Sequence, residues 1–129
     1  MHPEHHSLFE IDGNNFTTLL GFYDEVGRVV FSGHPWDRTL EAFAVTLDDL
    51  LAEHGPMTVV WKNSQKSRND LGYPETVRQL EEKLSHAPSD LRQEILFELE
   101  NAHRLEGDTV YSWIVDIVGE RPGITLVLE

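Results

Sequence analysis

The sequence has no cysteine among its 129 residues, which excludes disulfides, thiolate metal sites and cysteine nucleophiles together. It also has few basic residues, because 10 Lys and Arg oppose 23 Asp and Glu to give a formal net charge of −13. Binding to phosphate backbones needs clustered cations, so this balance disfavours nucleic-acid partners and favours a cationic protein. Acidity also keeps proteins in solution, and charge alone does not separate these two roles.

Long apolar runs are missing too. No run approaches the roughly 20 residues that span a membrane, and no charged-then-apolar leader opens the chain. We therefore expect no membrane attachment and a cytoplasmic location, where a lack of cysteine is ordinary.

Catalytic and cofactor motifs are also absent. The chain contains no phosphate-binding GxxxxGK or GxGxxG, no HExxH and no GxSxG. We therefore expect no enzyme activity, no cofactor and no metal site. A hydrolase whose catalytic residues come from distant positions stays open as an alternative, because such a site leaves no local motif.

What the chain does contain is the composition of a folded protein. Hydrophobic residues make up 40% of it and aromatic residues 9%, and a chain of this length is most simply one domain. We assign residues 8–129 to that domain and residues 1–7 to a flexible tail. The tail holds His2, His5 and His6, which can bind a divalent metal weakly, although tails of this kind are typically disordered.

Hydrophobic periodicity predicts alternating strands and helices. Strand-like runs occupy three short segments, residues 8–11, 58–61 and 124–128. Helical spacing predicts five helices. Three follow the candidate caps Asn14 or Asn15, Asp37 and Asp108, one begins at Glu75, and one covers residues 89–105. Residues 62–73 are predicted to be a polar, turn-rich loop. This order favours an α/β fold in which a small parallel sheet is flanked by helices.

Several side chains are predicted to be in the core or outside it. The first helix turns an apolar face inward, formed by Phe16, Leu19, Leu20 and Tyr23. The segment "RVVFSG" after it is interpreted as an extended link or a small strand. Trp61 and Trp113 are expected in the core. The apolar face of the helix over residues 89–105 is formed by Leu91, Ile95 and Leu99. Phe97 lies off this face, which indicates that it contacts another loop or a partner.

The helix predicted between its cap at Asp37 and its end at "HGP", residues 54–56, is acidic on the side away from the core. Its inward face is formed by Leu40, Phe43, Ala44, Leu47, Leu50 and Leu51. The opposite stripe carries Glu41, Val45, Asp48 and Asp49. The last two point about 100° apart, so they do not form a catalytic carboxylate pair. Acids near a helix C-terminus oppose its dipole, which favours docking over simple solvation as their role.

Four segments, in this order and spacing, resemble the barstar family of small intracellular ribonuclease inhibitors. They are "FEIDG", "RTLEAFAVTLDDL", "GPMTVVWKNSQKSRNDLGY" and "VYSWIVDIVGERPGITLVLE". The resemblance implies a small parallel sheet flanked by helices, with residues 85–108 as a helical insertion. It also implies that an acidic helix and the loop before it block the cationic active site of a ribonuclease. Charge-steered binding of the barnase–barstar pair is an established example of such docking.

The resemblance also implies which residues touch the partner. Glu41 matches an acidic contact of the family's interaction helix, Trp36 the aromatic position in the loop before it, and Asp116 a further acid on the terminal helix. Val45 occupies the position of the family's central aspartate, and one of the two nearby aspartates can substitute for it. The predicted partner-binding set is Trp36, Asp37, Glu41, Val45, Asp48, Asp49 and Asp116.

Two other interpretations keep the same residues but change their role. The acids of the helix can serve only to keep that helix solvated. Separately, three basic residues are expected to pair with the abundant acids rather than to bind an anion, namely Lys62, Lys66 and Arg68. The fold can also serve as an interaction or regulatory module whose partner is not a nuclease.

Overall fold

The computed structural model describes residues 7–129, and its centre is a three-stranded parallel sheet in the order β1-β2-β3. The strands are β1 (Ser7–Asp12), β2 (Met57–Lys62) and β3 (Ile124–Leu128). Phe9 lies opposite Val59, which in turn lies opposite Leu126. The predicted parallel α/β architecture is confirmed, with β1 starting one residue before the predicted strand. The histidines of the N-terminal tail lie outside the described residues.

Helices make the crossovers that parallel strands require. A short 3-10 turn (Gly13–Asn15) follows β1, and two helices lead on to β2: α1 (Leu19–Val29) and α2 (Leu40–His54). Four more helices connect β2 to β3: α3 (Ser64–Asp70), α4 (Tyr73–His86), α5 (Ser89–His103) and α6 (Val110–Gly119).

The main core lies between the sheet and three helices, α1, α2 and α6. Trp61 on β2 is buried at its centre, as predicted, and stacks on Phe22 of α1 with 5.4 Å between the ring centroids. Phe43 and Leu47 enter from α2, and Ile114 enters from α6. Burying several large side chains around one indole is what holds these helices on the sheet.

A second, smaller core joins α4 to α5. It consists of four buried residues, Leu80, Ile95, Leu99 and Ala102. Trp113, expected in the core, is partly buried and packs against both cores, so it links the α4–α5 hairpin to α6. The expected inward position of Leu91 is wrong: this residue is exposed, and the buried stripe of α5 begins only at Ile95.

Three helices begin at threonine caps that sequence inspection misplaced. The hydroxyl oxygens of Thr18, Thr39 and Thr109 accept hydrogen bonds from amides three residues later, at the starts of α1, α2 and α6. Each threonine has extended backbone and directly precedes the first helical residue, which is the geometry a cap needs. The caps predicted one to four residues earlier are therefore wrong, namely Asn14 or Asn15, Asp37 and Asp108.

The end of α1 also differs from expectation. "RVVFSG" is neither a strand nor an extended link, because the amides of Val30 and Phe31 still bond to the carbonyl of Val26 and continue the helical turn. Leu20, expected inside, is exposed, whereas Phe22 and Val26 fill the core positions of this helix.

The polar segment after β2 is a helix, α3, rather than the predicted loop. Its hydrogen bonds to distant parts of the chain explain the difference. The Ser67 hydroxyl accepts a bond from the Trp61 indole at 2.9 Å, and the Ser64 amide donates to the Glu129 carbonyl at 2.7 Å. Lys66 donates to the Gly13 carbonyl at 3.1 Å and pairs with Asp70. Tertiary contacts, rather than helix propensity, hold this short helix.

Candidate protein-docking site

The outward face of α2 is the centre of the candidate site. Phe43 and Leu47 fix the inward face of the helix, so Glu41, Val45 and Asp49 face solvent. Val45 is 58% exposed although it is aliphatic and lies between acidic neighbours. The outward stripe predicted from helical spacing is thus present in the structure.

The loop before α2 is held by Trp36. Its indole is half-buried and makes edge-to-face contacts with Phe31 at 4.9 Å and with Tyr23 at 5.4 Å between ring centroids. Gly27 permits this approach, because a Cβ at that position would lie 3.1 Å from the indole nitrogen. Trp36 therefore positions the loop, and Asp37 next to it is exposed.

Asp48 already has a partner inside the protein. Its carboxylate accepts hydrogen bonds from Arg121 Nε at 2.9 Å and Nη2 at 3.3 Å, and the arginine side chain is only 14% exposed. Arg121 also donates to the Ile117 carbonyl at 2.6 Å, near the end of α6. Sequence inspection missed Arg121. Asp48 therefore ties α2 to the turn before β3, whereas Glu41 and Asp49 form no ion pair with any residue of 7–129.

Glu41 marks the end of α2 that faces the α4–α5 hairpin. It borders a groove of about 250 Å³ together with Leu20, Leu40 and Trp113. Burial, and to a smaller extent the charge of Glu41, raises the pKa of Tyr23 above its ordinary value. Arg38 and Lys83 line the same groove, so positive charge also lies near Glu41.

Asp116 lies apart from the α2 surface. It is exposed on α6 and lines a different groove, of about 560 Å³, with Arg68, Tyr73 and Asp108. The two grooves share no residue. The structure therefore brings six of the seven predicted contacts to α2 and its preceding loop, and leaves Asp116 on a second face.

The basic residues after β2 behave largely as expected. Lys62 pairs with Glu129 at 3.5 Å, and Lys66 pairs with Asp70 at 2.6 Å. Arg68 forms no ion pair within the part of the chain that the structure describes. The expected pairing with acids is therefore present for Lys62 and Lys66 and wrong for Arg68.

Neither a metal-binding cluster nor a membrane-spanning helix is found within residues 7–129. Within residues 7–129, no three His, Asp or Glu side chains are grouped so that they could hold a metal ion. None of the helices in the same range combines the length and apolar character needed to cross a membrane. Comparison of the chain with protein-family models, curated proteins and solved structures finds no significant match.

Proposed function

We propose that this protein is a non-enzymatic, cytoplasmic, barstar-like inhibitor or immunity protein that binds a basic ribonuclease or toxin through α2. One observation carries the proposal. The outward face of α2 presents two carboxylates free of ion pairs within residues 7–129, those of Glu41 and Asp49, around an exposed valine. The order of elements around the parallel sheet agrees with the fold that the sequence resemblance implies.

The charge of this face supports a cationic partner. With a net charge of −13, the whole molecule attracts a basic protein over a long range, and the free carboxylates then pair with Lys or Arg at short range. Asp48 contributes less to this surface than the sequence suggested, because Arg121 already neutralises it. Asp116 takes part only with a partner broad enough to extend from α2 across α6.

The exposed side chain of Val45 supports a partner surface that is apolar at its centre. Protein interfaces commonly have a desolvated apolar centre and a polar rim. Val45 supplies such a centre, with Glu41 and Asp49 beside it. The partner in this proposal therefore presents an apolar side chain surrounded by Lys and Arg.

The loop before α2 is held in place in the free protein, which favours binding. Trp36 packs against Phe31 and Tyr23, and Thr39 caps the helix directly after the loop. A surface that is already rigid loses less conformational entropy on binding than a flexible one.

Capture of the partner from the source cells tests the proposal. The wild-type protein should retain a basic nuclease or toxin and inhibit its activity in a fluorogenic RNA-cleavage assay. The Glu41→Lys/Asp49→Lys variant should bind it at least about 100-fold more weakly, because like charges then face each other. Circular dichroism checks that this variant is folded. Unchanged affinity would show that the acidic face of α2 is only solvated surface.

The change Val45→Asp separates two kinds of nuclease partner. It places a carboxylate where the barstar family has its central aspartate, so binding to a barnase-type ribonuclease should become stronger. Binding to the captured native partner should become weaker if an apolar pocket receives Val45. An unaltered affinity for both proteins would exclude Val45 from the interface.

The valine also favours a second candidate function, a regulatory interaction module on the same fold. An aliphatic side chain cannot imitate a phosphate, so the partner need not have a nucleic-acid-binding active site. In this case the captured protein is basic but has no nuclease activity, and the Glu41→Lys/Asp49→Lys variant still loses it.

A further inference from the structure

Two consecutive residues on the exposed side of α5 are apolar, with side chains that point about 100° apart around the helix. Phe97 is 66% exposed and Leu96 is 41% exposed. We define this surface, the α5 face, by Leu96 and Phe97 with the exposed acids Asp90 and Glu94. Residues three and seven positions apart lie on one side of a helix, so both acids lie alongside Phe97.

The fold does not depend on these two apolar side chains. The stripe of α5 that packs on α4 is formed by Ile95, Leu99 and Ala102, all of which are buried. Phe has lower helix propensity than Glu, Lys or Ala, so local helix formation does not favour it at position 97. Neither the core beneath α5 nor helix propensity therefore accounts for an outward Phe at position 97.

The charges around Phe97 are unbalanced. Of the two arginines on α5, Arg104 pairs with Glu100, whereas Arg92 lies about 140° around the helix from Phe97 and donates to the Leu84 carbonyl of α4. Asp90 and Glu94 form no ion pair with any other residue in the described range 7–129. Phe97 is consequently flanked by negative charge that has no ion-pair partner within residues 7–129.

We propose that the α5 face binds an amphipathic helix of a basic protein, one that offers apolar side chains flanked by Lys or Arg. Phe97 and Leu96 supply the buried contact, and Asp90 and Glu94 meet the cations. Charge argues against the other occupants. A second copy would bring the same acids together between chains that each carry −13, and an anionic membrane would repel them. This surface is separate from α2 and does not depend on the function proposed above.

A designed peptide tests the proposal on the intact protein. The probe is a fluorescent peptide of about 18 residues, or five helical turns, made of Leu and Lys with all leucines on one helical face. Binding is measured by fluorescence anisotropy, and the contacted residues are identified by NMR of the ¹⁵N-labelled protein. A peptide of equal charge in which Ser replaces Leu is the control for charge alone.

We expect NMR shifts in residues 89–104 and an affinity that Phe97→Ala lowers about tenfold or more, as for a buried aromatic anchor. The matched control is Leu8→Ala, since Leu8 is 64% exposed on β1 and lies outside the proposed surface. Leu8→Ala should leave the affinity unchanged.

Four results would overturn this proposal. They are the absence of NMR shifts in residues 89–104, equal binding of the Ser-containing peptide, a dimer in light scattering that Phe97→Ala abolishes, and binding to anionic vesicles that depends on Phe97. The α2 proposal is unaffected by any loss of peptide binding to α5, because the capture experiment uses the Glu41→Lys/Asp49→Lys variant.

Discussion

Val45 and Leu47 are aliphatic residues of the same helix, and the structure gives them opposite environments. Leu47 is 2% exposed in the main core, whereas Val45 is 58% exposed on the outward face of α2. Two positions along a helix correspond to a rotation of about 200°, which is enough to separate core from surface. The same class of side chain therefore contributes to folding at one position and is available for binding at the other.

Truncation of these two residues should show that difference. We expect Leu47→Ala to lower the free energy of unfolding by about 2–5 kcal/mol, because it removes buried methyl groups and leaves a cavity. Val45→Ala should change it by less than about 0.5 kcal/mol, as is usual for exposed positions. Urea denaturation measures both values. A loss below about 0.5 kcal/mol for Leu47→Ala would place that side chain on the surface.

Glu25 is a buried acid whose stabilising role should depend on pH. Burial raises its pKa, but hydrogen bonds from the Asp12 amide, Asn15 and Arg28 outweigh burial and lower the pKa below the ordinary 4.5. A carboxyl with a lowered pKa stabilises the fold above its unfolded-state pKa and loses this contribution as pH falls through the folded-state pKa.

Glu25→Gln should therefore weaken the acid sensitivity of the protein. Between about pH 6 and pH 3, the free energy of unfolding of the wild type should fall more steeply than that of the variant. Urea titrations at several pH values give this comparison. Asp12, whose pKa is also lowered, leaves the variant with some acid sensitivity. Parallel curves for the two proteins would mean that Glu25 is not stabilised as a carboxylate.

At the scale of elements, one ion pair joins α2 to the turn between α6 and β3. Arg121 binds the Asp48 carboxylate and the carbonyl of Ile117, so a single guanidinium contacts two helices. We expect Arg121→Ala to cost about 1–3 kcal/mol, since hydrogen bonds to charged groups are lost. Asp48→Asn, which keeps one acceptor oxygen, should cost less. Thermal denaturation measures the stability of both variants. Equal stability of the wild type and the two variants would show that the Arg121–Asp48 ion pair does not stabilise the fold.

The α4–α5 hairpin is the element that should open most readily. The core of α5 is small and is made mainly with α4, whereas α6 packs in the main core. Local stability follows the apolar contacts that an element must break to open. In hydrogen–deuterium exchange, the amides of α5 should therefore exchange faster than those of α6. Leu99→Ala should accelerate exchange in α5 more than in β2, and equal protection of α5 and α6 would contradict this prediction.

At the scale of the whole molecule, the net charge of −13 should govern encounter with a basic partner. We expect the association rate with the captured protein to fall as NaCl rises, because the screening length shortens from about 10 Å at 0.1 M to about 3 Å at 1 M. Stopped-flow tryptophan fluorescence measures the rate. The dissociation rate should change less, and an association rate independent of salt would exclude electrostatic steering.

The candidate site was predictable to the extent that it depends on helical periodicity. The outward positions of Glu41, Val45 and Asp49 follow from spacing within one helix, and spacing is visible in a sequence. The role of Asp48 is different, because its partner Arg121 is 73 residues away along the chain. No local pattern relates two residues so far apart.

The sequence by itself determined the alternation of strands and helices and the inward face of α2. Both depend on local periodicity, which each segment carries independently of the others. Only the tertiary structure decided that residues 64–70 are helical, since Ser64 and Ser67 bond to Glu129 and Trp61. It alone also decided which acids remain free, because pairing depends on residues that approach only when the chain has folded around its sheet.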